Sequence, residues 1–538
     1  MGFSRRDFLL RIGQAGGFGA AFITMQHLGL MPMPEALAEP KLALASGNGT
    51  KVVILGGGIA GLVAAYEMGK AGYSCTVLEA RKRPGGRNFT VRNDTKIEFT
   101  DGMTQTASWE DASYFNAGPA RLPSIHKTML GYCKELGVPL EVEVNTSRSA
   151  LLQSDDAFGG KAVEQRQAIN DTRGHVSELL AKCIKNSSAL DQQMTKEDTE
   201  RMLAFLKTYG DLQPDYSYTG SERSGVEKLP GAGPDAEVLR APLSMHSLLD
   251  ANFWMGMMYE EMFDMQATMF QPVGGMDRIP YAFAKKLGDV VQYGSPVKEI
   301  RKTANGVKVS YSDASGAARM IEADYCICAL PITILKDIPN DFAPRVKQAI
   351  HDVGYDSAYK VAWESRRFWE QDYNLYGGLG FVIKGPVNLM WYPSGKIFSE
   401  NGVLVAGYGV ENQSEFGKLP SIQAKFDASR AAVEKLHPGH GKELKNPMYM
   451  NWGMMPYNLG SWVGAAPSYV KNRRGEYYDG PYKEFTQPDD RIYFSGDHCS
   501  HIIGWQEGAA LASHRAASMI SERVKMARLS SATTNQNA

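Results

Sequence analysis

Two clusters in this 538-residue chain have the residue types and spacing for chemistry. The first is Gly56-Gly57-Gly58-Ile59-Ala60-Gly61, which follows the apolar run Val52-Val53-Ile54-Leu55 and opens a helical run through Lys70. Gly56 permits a tight turn, Gly58 lets the backbone approach a pyrophosphate, and Gly61 lets helix and strand pack closely. The start of the helix then offers unpaired N–H groups and a positive dipole end to phosphate oxygens. A second apolar run, Cys75-Thr76-Val77-Leu78, ends at Glu79. That acid lies about 20 residues past the turn, where a carboxylate accepts hydrogen bonds from ribose hydroxyls. The second cluster is Phe115-Asn116-Ala117-Gly118-Pro119-Ala120-Arg121-Leu122-Pro123, in which two prolines and a glycine hold one arginine on a stiff loop. A planar guanidinium matches a carboxylate bidentately and keeps its charge at every relevant pH. The alternative partner for Arg121 is an acid of the protein itself.

The elements that must position the first cluster are strand, turn, helix and second strand, the dinucleotide-binding βαβ unit. A glycine motif alone is weak evidence, but here the flanking strand, the helix and the acid agree. The residues after Glu79 narrow the ligand. Arg81, Arg83 and Pro84-Gly85-Gly86-Arg87 place fixed positive charge and bare backbone where a second phosphate or a flavin edge would lie. In this arrangement the stretch resembles the start of flavin amine oxidases, which bind FAD; an NAD-specific unit has no use for the extension, so FAD is the expected cofactor. No metal is expected. The six cysteines, Cys75, Cys133, Cys183, Cys326, Cys328 and Cys499, are scattered without CxxC spacing. Cys326 and Cys328 alternate along an apolar strand and should share one face as packing residues.

The length suits two or three domains. With 43% hydrophobic and 22% charged residues the composition is that of an ordinary soluble globular chain. A formal net charge of -1 and the lack of basic blocks with interleaved aromatics remove the argument for nucleic acid or anionic membrane partners. Ser4-Arg5-Arg6-Asp7-Phe8-Leu9 is a twin-arginine pattern, and Ala36-Leu37-Ala38 is a small-x-small cleavage site. The mildly apolar stretch between them is interrupted by Gln14, Gln26 and His27 and makes a poor membrane span. Residues 1–38 are therefore expected to be an export signal, which places the mature protein in the periplasm or outside the cell.

Along the chain, residues 88–105 alternate as short strands and Ile125 to Leu136 reads as a helix. Residues 145–250 read as an inserted, largely helical part. There Val176, Leu179, Leu180, Cys183 and Ile184 have the spacing of one buried helix face. Thr195-Lys196-Glu197-Asp198 resembles a capping box that starts a second helix. Residues 211–240, rich in Gly, Pro and Ser, read as a long loop with the character of a lid or entrance. The methionine-rich run from Phe253 to Met265 is either packed core or an adaptable wall for apolar side chains. Three strands are expected at 297–300, 307–309 and 324–329, and an antiparallel sheet at 354–410. The chain closes with Arg491-Ile492-Tyr493-Phe494-Ser495-Gly496-Asp497, Gly504-Trp505-Gln506-Glu507-Gly508-Ala509 and a helix to about Arg528.

Taken together, these pieces resemble the flavin amine oxidase family over about residues 50–525, and its L-amino-acid oxidase branch most closely. The resemblance implies a mixed α/β fold: a Rossmann-like FAD-binding domain built from separated segments, a substrate domain with a mixed sheet, and an inserted helical domain. Its segments would be 50–125 and 481–528 for FAD binding, 126–250 for the helical and substrate-entrance part, and 251–330 shared between FAD and substrate. Residues 331–480 would form the substrate domain, leaving 529–538 as a disordered tail. The same resemblance assigns the ADP half of FAD to Ile59, Ala60, Glu79, Ala80, Arg81, Gly86 and Arg87, and the adenine to the backbone of Val297. Asp497 would bond the ribityl or pyrophosphate region, with Gly504, Trp505, Gln506, Glu507, Gly508 and Ala509 along the flavin. Gly118, Pro119 and Ala120 would pass the isoalloxazine and present Arg121 to the substrate carboxylate, which Tyr392 also bonds. Trp462, Gly504 and Trp505 would wall the substrate, and Lys360 would act catalytically through a water at flavin N5.

The implied activity is oxidative deamination of L-amino acids. Oxidation at the α-carbon gives an imino acid, water releases a 2-oxo acid and ammonia, and O2 yields H2O2. The partners implied are a small-molecule substrate and O2, with a homodimer as the assembly. Residues 456–470 contain no cysteine, so FAD is expected to be noncovalent. Three alternatives stand beside this reading. They are a monoamine or polyamine oxidase, a tryptophan-type amino-acid 2-monooxygenase of the same fold, and a flavin-bearing protein without turnover.

Overall fold

The run Val52–Leu55 is apolar at every position, the pattern of a strand covered on both faces. In the computed structural model, which describes residues 42–110, 113–186, 195–412, 414–464 and 480–536, this run lies at the centre of a sheet. Strand β1 (Lys51–Leu55) pairs in parallel with β2 (Ser74–Leu78) on one side and with Tyr325–Cys328 on the other. Val291–Gln292 and Ile492–Phe494 complete five parallel strands, drawn from segments more than 400 residues apart. The expected assembly from separated segments is therefore seen directly. Helix α1 (Ile59–Lys70) packs on this sheet through Leu62, Val63, Ala64 and Met68, all fully buried. Cys326 and Cys328 are free thiols buried in one core beneath it.

A second sheet of seven strands carries the other half of the molecule. Its order is Val163–Glu164, Leu151–Gln153, Gly378–Val382, Leu389–Tyr392, Asn401–Val410, Ala358–Arg366 and Lys445–Asn451. All pairings are antiparallel except that of Leu151–Gln153 with Gly378–Val382, so the sheet is mixed. One face packs on the helix Ile422–Leu436, with Tyr392, Val433 and Leu436 in a shared core. The opposite face carries Trp391. Because side chains alternate along a strand, these neighbours belong to different sides of the sheet.

Several expectations are corrected here. Residues 151–164 supply two strands to the second sheet, so the helical insertion begins only at α3 (Gln165–Asn186), after α2 (Lys127–Glu135). The apolar stripe of α3 does not face inward: Val176, Leu179 and Leu180 are 47%, 53% and 41% exposed, Cys183 is exposed, and only Ile184 is buried. The buried face is Asp171, Gly174, Ser177, Ala181 and Ile184. Close approach explains the choice. A Cβ on Gly174 would lie 2.3 Å from the Tyr218 ring, and one on Gly210 of α4 (Lys196–Gly210) 2.3 Å from Ser177 Cβ. Asp171 accepts hydrogen bonds from Tyr218 Oη and Ser224 Oγ, both at 2.6 Å. Small and polar residues therefore win the interface over larger apolar ones. The capping box at Thr195 and Asp198 is present as read.

The strand Ala318–Ala323 was not anticipated, since only one of its residues is buried and it shows no apolar alternation. Residues 211–240 form a loop with a small hairpin, Val226–Lys228 against Val238–Leu239. The last helix, α5 (Gln506–Gln536), runs past Arg528, so residues 529–536 are helical rather than disordered. The twin-arginine segment lies outside the described residues. Among the described residues no helix is long and apolar enough to cross a membrane, and no cluster of His, Cys, Asp and Glu has the makings of a metal site.

Candidate active site

The two sheets flank one cavity of about 460 Å³ that runs from the glycine turn to Arg121 and Lys360. At the turn, Gly56 has φ of 100°, a conformation that costs a side chain dearly. Gly58 caps α1 without a side-chain bond, and nothing lies within 4 Å of where its Cβ would sit. The Glu79 carboxylate accepts from Gly57 N–H at 2.7 Å and Arg81 N–H at 2.8 Å, which fixes the end of β2 beside the turn. Arg81 donates to Asn458 Oδ1 and the Pro456 carbonyl. Gly56, Gly58, Ile59, Ala60, Glu79, Ala80, Arg81, Gly86 and Val297 all border this end.

In the middle of the cavity, Arg87 is ion-paired with Asp497 and also bonds the Ser461 carbonyl. Burial alone would raise the Asp497 carboxyl, but the Arg87 charge and its hydrogen bonds hold it below the usual carboxylate range. Asp497 also accepts from Gly504 N–H at 2.9 Å, so one acid ties the arginine to the C-terminal turn. Gln506 opens α5 with its Oε1 bonded to Asn88, while its Nε2 is buried on the cavity wall without a partner among the described residues. A buried amide N–H left unpaired costs about 1–3 kcal/mol, so a ligand acceptor is expected there.

At the far end, Gly118, Pro119, Ala120 and Arg121 line the cavity, as do Lys360, Trp462, Gly504 and Trp505. Gly118 has no alternative, since a Cβ would lie 1.9 Å from the Arg87 carbonyl oxygen. The buried Arg121 guanidinium donates to Asn145 Oδ1 and, at 3.0 Å, to Tyr259 Oη, and lies 4.5 Å from the Trp391 ring centre. Both hydrogen-bond partners are neutral. Among the described residues Arg121 makes no ion pair, so the alternative of a salt bridge to a protein acid is not what the fold provides. Lys360 Nζ donates to the carbonyls of Asn116 at 2.6 Å and Gly118 at 2.7 Å. Burial, reinforced by the Arg121 charge, lowers its pKa to about 7.

Three sequence-derived positions are corrected. Tyr392 is not in the site: it is fully buried on the other side of the sheet, with its hydroxyl bonded to His437 Nε2 at 2.7 Å. Trp391, one residue earlier, faces the cavity instead. Glu507 does not run along the cavity, because its carboxylate accepts the N–H groups of Thr128 and Met129 at 3.0 and 2.8 Å and so caps α2. Gly508 also stands off the cavity as a packing glycine, since a Cβ on it would lie 2.3 Å from the Ile502 carbonyl oxygen; Gly61 packs the helix closely as read, with a Cβ there 1.9 Å from the Gly56 carbonyl oxygen. Sequence reasoning missed Trp391, Tyr408, Asn145, Tyr259 and Asn88. Of these only Trp391 carried a signal, through strand alternation beside Tyr392. Of the methionine-rich run, Met265 lines the cavity and Phe253 is core, whereas Met255 and Met258 are exposed. No residue of 211–240 lines it.

A glycine turn at a helix start, an acid at the second strand end and a second helix start at Gln506 together define a dinucleotide-binding protein. The chain belongs to the family described as flavin containing amine oxidoreductase, which it matches over residues 59–521. It is 24% identical over 494 residues to an L-amino-acid oxidase of Gloydius blomhoffii, covering 88% of this chain and 89% of that one. An L-amino-acid oxidase of Protobothrops flavoviridis is 25% identical over 484 residues, covering 85% and 86% of the two chains. Putrescine oxidase bound to putrescine has the same fold, with a TM-score of 0.55 at 17% identity, covering 89% of this chain and 99% of that one.

The cofactor is FAD, and the residues fit it. Gly58 leaves open space at a helix start, the Gln506 amide awaits an acceptor, and the cavity extends to Val297. Gly61→Ala should force β1 and α1 apart by more than an ångström and destabilise the fold by about 1–3 kcal/mol. A lowered melting temperature and a lowered flavin-to-protein ratio after desalting would check this. Tyr392→Phe removes a buried bond outside the site. Its expected result is about 1 kcal/mol less stability, read by urea titration, with KM unchanged.

Proposed function

We propose that the protein is an FAD-dependent L-amino-acid oxidase that converts L-amino acids to 2-oxo acids with release of ammonia and H2O2. The observation that carries this reading is the buried Arg121 guanidinium, held on the cavity wall by neutral partners and by the Trp391 face. A desolvated cation that makes no ion pair among the described residues favours an anion that enters with the ligand. An α-carboxylate fits its fork.

Bound FAD supplies the two-electron acceptor for the carbon–nitrogen bond and passes the electrons to O2. The chain's own residues bind, orient and manage one proton. Arg121 fixes the carboxylate and thereby supplies one of the contacts that orient the α-carbon. Lys360 commits two N–H bonds to the Asn116 and Gly118 carbonyls, so its remaining position is a lone pair when neutral and an N–H when charged. With its pKa near 7, the neutral form accepts a proton from the substrate ammonium, which must become a free amine before oxidation.

The amine oxidase alternative lacks a matching feature. Among the described residues the carboxylates on the cavity wall are Glu79, Asp337 and Asp497, and none bonds Arg121 or Lys360. Glu79 is held by backbone N–H groups and Asp497 by Arg87. A cationic tail would therefore meet the fixed charge of Arg121, which favours neutral side chains such as those that Met265, Trp391 and Tyr408 can surround. Noncovalent FAD and twin-arginine export belong to the same reading. Mixing the purified yellow protein anaerobically with L-phenylalanine, D-phenylalanine and putrescine tests it. Bleaching by the L-amino acid alone is expected; bleaching by putrescine alone would sink the reading. No bleaching by any of them would point to a protein without turnover.

A further inference from the structure

Glu143 ends the strand Leu140–Glu143, which pairs with Met269–Pro272, and its side chain stands behind the cavity wall rather than on it. One carboxylate oxygen accepts the indole N–H of Trp391 at 3.0 Å. The other is buried and has no hydrogen-bond partner among the described residues. The Trp391 ring centre lies 4.5 Å from the Arg121 guanidinium and 5.4 Å from Lys360 Nζ. One ring thus joins a buried acid to the two cations of the site. A half-satisfied buried carboxylate is costly, and an indole bond alone does not explain why an acid stands there when an amide would serve.

We propose that Glu143 is a positioning residue of the carboxylate anchor, which orients Trp391 beneath Arg121 and takes up a proton when a substrate carboxylate binds. The proposal rests on the carboxylate-binding reading of the cavity. Its physical basis is charge balance in a poorly solvated place. While the site is empty of anions, an ionised Glu143 partly offsets Arg121. A carboxylate brought to Arg121 replaces that offset, and two anions beside one cation favour protonation of the buried one. Burial pushes the Glu143 carboxyl up to about 7, with the Arg121 charge and the Trp391 bond pulling against it, so both states are within reach near neutrality. The charged group that acts on Glu143 is Arg121; Lys360 lies on the same ring, 5.4 Å from its centre. Met269, its partner across the strand pair, is apolar, and Glu141 two residues before it is turned to Gln271.

The test is calorimetric titration of the holoenzyme with phenylacetate, an unreactive carboxylate, in two buffers of different ionisation enthalpy. Wild type should take up protons on binding, and its Kd should rise about fivefold or more between about pH 6 and pH 8. Glu143→Gln keeps an acceptor for the indole, so it should bind with less proton uptake and a flatter Kd. Lys360 adds its own uptake in both proteins, and the difference between them is the reading. Glu143→Ala should weaken binding at every pH by releasing Trp391. Equal uptake and equal slope in wild type and Glu143→Gln would overturn the proposal, as would binding to wild type without proton uptake. Wild type that fails to bind phenylacetate at all would overturn the carboxylate reading itself, a separate result.

Discussion

Arg121→Met should lower kcat/KM for L-amino acids about a hundredfold to a thousandfold, most of it as a raised KM. Removing one member of a buried, charge-assisted hydrogen-bonded pair costs about 3–4 kcal/mol, which converts to that range. Methionine keeps much of the volume and the apolar packing against Trp391, so the effect isolates charge and hydrogen bonding. The substitution leaves Asn145 Oδ1 and Tyr259 Oη without their donor, which adds a stability cost of about 1–3 kcal/mol. That cost is separable, because it moves the melting temperature while the flavin content of the folded fraction stays constant. Steady-state kinetics at saturating O2 gives the KM and kcat parts. A change confined to kcat would mean that Arg121 does not hold the ground-state carboxylate.

Lys360→Met should lower kcat/KM by about a hundredfold to ten-thousandfold, the usual range for removing a positioned base. The wild-type profile should rise between about pH 6 and pH 8 as Lys360 loses its proton, and the variant should lack that limb. The same shift makes a statement about stability. The folded-state pKa is depressed from 10.5 to about 7, so the unfolded chain binds this proton over a window in which the folded one does not. Stability from this group is therefore largest above 10.5, falls as pH drops towards 7, and is lowest below 7. Lys360→Met removes the penalty at low pH but also empties the Asn116 and Gly118 carbonyls of a donor. The variant should gain on wild type in acid relative to alkali, as denaturant titration at two pH values would show.

The parts legible in the sequence are those whose signal is local. The βαβ unit was readable because Val52–Leu55, Gly56, Gly58 and Glu79 each follow from one physical requirement at a fixed spacing. Arg121 was readable from the stiffness of its own loop. What failed depended on partners far along the chain. Choosing Tyr392 over Trp391 required knowing which side of its strand meets the helix Ile422–Leu436, and alternation gives two sides without saying which is which. The inward face of α3 was set by Tyr218 and Gly210, whose demand for close approach put Gly174 and Ser177 inside and left Val176 and Leu179 out. Glu507 sits within the run that passes the cavity, yet it faces the start of α2, some 380 residues earlier. The supports of Arg121, Asn145 and Tyr259, are polar residues without periodicity, and only the fold brings them together.

The most direct test of the central claim is H2O2 release by the purified holoenzyme across the L-amino acids, their D-forms and a few amines, beside Arg121→Met. Activity is expected on L-amino acids with neutral side chains, with little on D-forms, lysine, arginine or diamines, and with a loss in the variant expressed mainly through KM. Activity on amines that Arg121→Met leaves unchanged would contradict it, because the buried guanidinium would then have no carboxylate to hold.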